Sequence, residues 1–158
     1  MRLTTLTAAA TLIAGVAFAE TVAPDAVTFD EYGAVEASLT GVAGDAANGA
    51  KVMTNRGLGN CVACHAVTAL SDAPFHGEVG PTLDGVGGYR SEAELRGILV
   101  NAKKTFEGSV MPAFYKTSGF IRPGDGYTGK AAQGDIAPIL SAQDIEDVVA
   151  FLMTLKDS

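Results

Sequence analysis

The stretch NCVACHAV, residues 60–67, contains both cysteines of the chain and one of its two histidines. The order Cys61, Cys64, His65 matches the CxxCH signature of c-type haem attachment. Side chains at positions i and i+3 lie on the same face of a helical turn, so both thiols can form thioethers at one porphyrin edge while the imidazole reaches the iron. The motif therefore predicts one covalently attached haem c, anchored by Cys61 and Cys64, with His65 as the proximal ligand.

The alternative for these cysteines is a disulfide, or a redox-active pair of the thioredoxin kind, because both occur in oxidising compartments. The sequence around the motif lacks alternating strand and helix patterns, and a histidine directly follows the second cysteine. Haem attachment is therefore favoured over a disulfide.

Residues 1–19 have the features of a signal peptide. Arg2 precedes a mild apolar run that ends in Ala17-Phe18-Ala19, the small-x-small pattern at which signal peptidase cleaves. The run is shorter and less apolar than the roughly 20 residues that a membrane-spanning helix needs, which disfavours an uncleaved anchor. No later stretch is apolar enough to cross a membrane. We therefore predict an exported chain that starts at Glu20 and has no membrane span.

The chain is acidic, and this limits its partners. It has 11 basic and 18 acidic residues, so its net charge of −7 becomes −8 when Arg2 leaves with the signal peptide. An acidic protein repels phosphate backbones, which argues against nucleic acid as a partner. We interpret the acidic surface as favouring solubility, with a docking patch for a basic partner as the alternative.

Three segments after the signal peptide have helical patterns. Residues 45–56 begin with Asp45, a good N-cap residue. Residues 91–104 and 141–156 each begin with serine and have an acidic residue three positions later, the capping-box pattern, followed by apolar residues at helical spacing. The sequence therefore predicts an all-α domain over residues 45–158.

The other segments have no helical pattern. Residues 20–44 form an N-terminal extension without a clear period, and residues 77–88 and 116–138 are rich in glycine and proline, which predicts loops. We expect the extension and the loop at 116–139 to contact a partner, because a self-sufficient small domain has little need of either.

The distal iron ligand is the next question. Met111 in EGSVMPAF precedes Pro112, which restricts its backbone to extended conformations and places it on a stiff loop, so we predict Met111 as the distal ligand. Met53 and Met153 lie in helical patterns, where core packing is the simpler explanation. His76 is the rival ligand, and as a ligand it would give a lower reduction potential than methionine.

Five segments occur in the order found in class I cytochromes c: GDAANGAK, CVACH, GPTLDGVGG, VMPAF and DIEDVVAFLMTLK. The longer segments FHGEVGPTLDGVG, LRGILVNAKKTFEGSVMPAFY and LSAQDIEDVVAFLMTLK resemble the SoxX family, the monohaem subunits of SoxAX complexes in bacterial thiosulfate oxidation. This resemblance covers about residues 44–158 and implies a class I cytochrome c-like helical fold around one haem.

The resemblance also assigns roles to individual positions. It implies thioether cysteines at Cys61 and Cys64, axial ligands at His65 and Met111, a carbonyl that accepts the proximal imidazole N–H at Pro81, and a crossing of the first and last helices at Gly49 and Phe151. A carbonyl of this kind fixes the ring and tunes its basicity.

The function implied is electron transfer in the periplasm. A SoxX chain pairs with a SoxA-type cytochrome, and the SoxAX enzyme, an L-cysteine S-thiosulfotransferase, couples thiosulfate to a cysteine of the carrier SoxYZ. The catalytic haem is expected on SoxA, and this chain would pass electrons to an acceptor cytochrome c. A free-standing class I cytochrome shuttle is the alternative. A haem enzyme or gas sensor is disfavoured because Met111 would occupy the distal position.

Overall fold

The computed structural model describes residues 20–124 and 128–156, and the predicted signal peptide, residues 1–19, lies outside them. The described residues contain four α-helices: α1 (Ala46–Thr54), α2 (Val86–Tyr89), α3 (Glu92–Asn101) and α4 (Ala142–Leu152). Four short 3-10 turns lie between and before them, at Pro24–Ala26, Cys61–Ala63, Thr68–Leu70 and Ala102–Lys104. No strand occurs in this part of the chain, so the predicted all-α class is confirmed. None of its helices is long and apolar enough to cross a membrane.

The helices begin where the capping residues predict. Asp45 Oδ1 accepts hydrogen bonds from the backbone N–H groups of Ala47 (2.8 Å) and Asn48 (3.3 Å) at the start of α1. Capping boxes at Ser91 and Ser141 start α3 and α4. These side chains satisfy N–H groups that have no partner within the helix, which is why the local sequence decides the helix starts.

The first and last helices cross at Gly49. A Cβ atom at this position would overlap the carbonyl oxygen of Asp147 and come within 3.0 Å of Phe151 Cβ. Only glycine therefore allows the two backbones to approach this closely. The crossing lies at the two positions, Gly49 and Phe151, that the family resemblance implies.

The carboxylate of Asp147 closes the same crossing with hydrogen bonds. It accepts from the Asp45 N–H (2.8 Å), the Asn48 amide (2.7 Å) and the Gln143 amide (2.9 Å). Burial by itself raises the pKa of this carboxyl, but the three donors outweigh burial and hold the pKa below its usual value. The group therefore stays ionised at neutral pH and ties α1 to α4.

The N-terminal extension packs on its own chain. Val35 and Leu39 are buried in the same core as the helices. The Val35 N–H donates to Ala93 O (3.0 Å), and the Tyr115 hydroxyl donates to Val22 O (2.7 Å). These residues of the extension therefore belong to the core of the domain, and the partner contact expected of the extension stays a prediction. In the loop at 116–139, by contrast, most described side chains are exposed.

A buried ion pair holds the extension against α3 and α4. Arg96 Nε lies 2.9 Å from Glu146 Oε1, and both side chains are about 5% exposed. Arg96 Nη1 donates to Val35 O (2.8 Å), and Glu146 Oε1 accepts from the Leu39 N–H (2.6 Å). Sequence analysis did not find this pair, because the two residues lie 50 positions apart.

We expect Arg96→Met to destabilise the protein by about 3–5 kcal/mol, because it leaves the Glu146 carboxylate buried without its counter-ion. Chemical denaturation followed by circular dichroism measures the loss. The matched control is Arg90→Met, which breaks the partly exposed pair with Glu94 and should cost about 1 kcal/mol or less. Equal losses in the two variants would contradict a special role for the buried pair.

Candidate haem-binding site

The CxxCH motif follows α1 as a tight turn. Residues Cys61–Ala63 form a 3-10 helix, and Cys64 and His65 both donate backbone hydrogen bonds to Cys61 O (3.1 and 3.0 Å). Asn60 enters the turn with a left-handed φ of 46°, a conformation that asparagine tolerates better than most residues. Positions i and i+3 eclipse in a 3-10 helix, so the spacing of the two cysteines in this turn suits thioether attachment to one porphyrin edge.

Both cysteines are free thiols in this structure, and the disulfide alternative is not realised. Cys61 is buried and Cys64 is exposed. Burial raises the pKa of the Cys61 thiol to about 11, so this thiol is protonated at neutral pH. Cys61 therefore lacks the exposed, low-pKa character of a redox-active cysteine.

His65 is oriented by the loop at residues 77–85. Its Nδ1 lies 2.7 Å from Pro81 O. A carbonyl oxygen only accepts, so Nδ1 carries the proton and the lone pair of Nε2 is left for a metal. The structure thus brings together the His65 ring and the Pro81 carbonyl, the two groups that the resemblance pairs.

Gly80 lies directly against the His65 ring. A Cβ atom here would overlap His65 Cε1 and come within 2.6 Å of Nδ1. The Gly80 N–H donates to Cys64 O (2.8 Å), so the loop is also tied to the haem motif by its backbone. Sequence analysis did not single out Gly80. The glycine that precedes Pro81 is the signal that could have identified it.

A second link between the motif and the loop is made by Asp84. Its carboxylate accepts from the Thr68 hydroxyl (2.6 Å) and the Thr68 N–H (2.8 Å). The Thr68 hydroxyl and then its N–H lower the pKa of this exposed carboxyl, which therefore stays charged at neutral pH. Sequence analysis did not find this link either.

His76, the rival iron ligand, has both ring nitrogens occupied. The Val67 N–H donates to Nδ1 (3.2 Å), and Nε2 lies 3.1 Å from Leu70 O. Because the first nitrogen accepts and the second donates, the neutral ring has no free lone pair for iron. The structure thus gives His76 a role in holding the loop and disfavours it as a ligand.

Met111 lies on the loop after α3 and is half-buried against the core. Its carbonyl accepts from Lys103 Nζ (2.9 Å), and its N–H donates to Ser109 Oγ (3.2 Å). Hydrogen bonds therefore fix both the N–H and the carbonyl group of Met111. Met53 is fully buried and Met153 packs against the core, which agrees with packing roles for those two methionines.

Comparison with known proteins identifies the family of the chain. Residues 46–156 match the family model for cytochrome c, so the chain belongs to the cytochrome c family, whose members carry covalently attached haem c. The crystal structure of SoxXA from P. pantotrophus contains a chain that is 59% identical, with a TM-score of 0.82. The match covers 87% of this chain and 99% of that chain. A search of curated proteins found no significant match.

These similarities confirm two predictions. The resemblance to SoxX-type cytochromes is confirmed by the match to SoxXA, and the haem c cofactor is confirmed by membership of the family. The chain has a single CxxCH motif and therefore carries one haem. Nε2 of His65 and the free thiols of Cys61 and Cys64 are the groups that would hold this haem.

We expect Gly80→Ala to displace the His65 ring while leaving the haem covalently attached. The added methyl group would overlap His65 Cε1, and the ring cannot both move away and keep its bond to Pro81. Absorption spectra of the purified ferric holoprotein should shift toward a high-spin form. The control is Gly108→Ala, where a Cβ meets nothing within 4 Å. An unchanged low-spin spectrum in Gly80→Ala would contradict the expected restraint.

Proposed function

We propose that this chain is the periplasmic electron-transfer subunit of a SoxAX-type complex. The observation that carries the proposal is the 59% identity to a chain of SoxXA over 99% of that chain. At this level of identity and coverage, the partner-binding surface of a relative is expected to be retained together with its fold. The partner would be a SoxA-type cytochrome, and the complex would couple thiosulfate to a cysteine of a SoxYZ carrier.

In this proposal, residues of the chain hold the haem and set its properties. Cys61 and Cys64 anchor it, His65 is the proximal ligand, and Pro81 O holds the imidazole in the tautomer that coordinates. The bound haem supplies reversible one-electron transfer. Met111 is the distal ligand, and thioether sulfur raises the reduction potential relative to a second histidine.

The chain itself is proposed to be non-catalytic. Both thiols are used for haem attachment. The second histidine, His76, forms its two ring hydrogen bonds with backbone groups. The thiosulfate chemistry is therefore assigned to the SoxA haem, and this chain passes electrons to an acceptor cytochrome c.

A free-standing electron shuttle is the second candidate, and one observation favours it. The N-terminal extension packs on its own chain through Val35 and Leu39. The extension therefore does not need a partner to bury these apolar side chains. A monomer is structurally self-sufficient in this region.

Co-expression with a SoxA-type cytochrome separates the two candidates. We expect the full-length holoprotein to co-purify with the tagged partner and its haem to be reduced in a thiosulfate-dependent way when SoxYZ is present. Omission of the SoxA-type partner is the control and should abolish this reduction. A chain that stays monomeric and is reduced equally well without the partner is a free shuttle.

The distal ligand is tested by substitution of Met111. We expect Met111→His to keep the haem attached and lower the reduction potential, because imidazole replaces thioether sulfur. Met111→Ala should remove the weak long-wavelength band of sulfur-to-iron charge transfer from the ferric spectrum. The control is His76→Ala, which should keep that band. Retention of the band in Met111→Ala and loss of the low-spin signal in His76→Ala would assign the ligand to His76.

A further inference from the structure

Both the backbone conformation and the side-chain exposure of Phe75 are unfavourable. Its φ is +65°, in the left-handed region that bulky side chains disfavour. Its side chain is also 81% exposed, so the phenyl ring gains almost nothing from burial within the chain. Such an outlier at an exposed aromatic residue points to a function outside the fold itself.

The backbone on both sides of Phe75 is firmly held. The Ala73 N–H donates to Leu70 O (2.9 Å), and the Gly77 N–H donates to Val62 O (2.8 Å). The His76 ring bridges the same loop through its two backbone hydrogen bonds. Phe75 is thus kept in its left-handed conformation by its neighbours, and its ring is presented on a fixed support.

This support is part of the haem site. Gly77 lies against the backbone of Ala63, between the two haem cysteines, and Gly80 lies against the His65 ring. Val79 lies between these glycines and is 71% exposed. Phe75 and Val79 are two exposed apolar side chains close in sequence, one just before and one within the loop that orients His65, and we call them the proximal-loop surface.

The charged residues of this part of the chain have one sign. Asp72, Glu78 and Asp84 are exposed. The sequence contains no lysine or arginine between Arg56 and Arg90. An apolar centre with an acidic border is complementary to an apolar patch with a basic border.

We infer that the proximal-loop surface is the docking site for the partner cytochrome subunit, which would present an apolar patch bordered by lysine or arginine. The inference rests on the proposed function and adds the location of the contact. Electron transfer requires the two redox centres to approach closely, and docking at the loop of His65 brings the partner to the haem ligand. Aromatic residues, phenylalanine among them, are enriched in protein–protein interfaces, and an exposed phenyl ring on a fixed backbone suits such a contact.

Substitution of Phe75 separates docking from folding. Asparagine and glycine both tolerate a left-handed backbone, so Phe75→Asn and Phe75→Gly should fold as well as the wild type or better. We expect either variant to lower the affinity of the holoprotein for the SoxA-type cytochrome by at least about tenfold, the size of effect typical of an anchor residue. Isothermal titration measures the affinity, and thermal unfolding and absorption spectra are recorded in parallel.

The matched control is Tyr89→Asn. Tyr89 is also an exposed aromatic residue, at 61%, but it lies at the end of α2, outside the loop of His65 and outside the N-terminal extension, and its loss should leave the affinity unchanged. Glu78→Gln tests the acidic border and should weaken binding at low ionic strength with little effect at high ionic strength.

The outcomes distinguish the two levels of the proposal. If the wild-type chain does not bind the SoxA-type cytochrome, the proposed function fails and the docking site fails with it. If the wild type binds and both Phe75 variants bind equally well, only the docking site is wrong. A changed haem spectrum or a lowered unfolding temperature in both Phe75 variants would place the ring in haem packing or folding and would also overturn the inference.

Discussion

The contact of α4 with two other helices is the constraint on which the site depends. In the middle of α4, the Gly49 backbone of α1 lies against the Asp147 carbonyl. Just beyond the C-terminal end of α4, the Gly87 N–H of α2 donates to Leu155 O (2.8 Å). The haem motif follows α1 and the loop of Pro81 precedes α2, so both are positioned by the same helix. His65 meets the Pro81 carbonyl because the helices next to each are packed on α4.

The buried pair of Arg96 and Glu146 extends this arrangement to the N-terminal extension. Glu146 belongs to α4, and the pair binds backbone groups of Val35 and Leu39. A buried ion pair is weak evidence for stability when compared with an apolar pair, but it fixes one geometry because every partner must be satisfied. The pair therefore gives the extension a single position on the domain, which apolar contacts alone specify less strictly.

The two histidines of the chain show how local surroundings divide similar residues into different roles. His65 has one nitrogen bound to a carbonyl and the other free, as a metal ligand needs. His76 has both nitrogens bound to backbone groups and supports the loop that carries Phe75. The same loop thus contributes a glycine against the proximal ring, a carbonyl for its N–H and an exposed aromatic side chain on its outer surface.

The sequence by itself determined what depends on neighbours along the chain. The CxxCH spacing predicted the haem c cofactor, and Asp45, Ser91 and Ser141 located the starts of three helices, because caps and motifs act within one turn. Only the tertiary structure decided that Arg96 meets Glu146 and that both nitrogens of His76 are occupied. These contacts join residues from separate elements or are set by the conformation of a loop, and neither hydrophobic period nor capping pattern records which distant backbone group a side chain will reach.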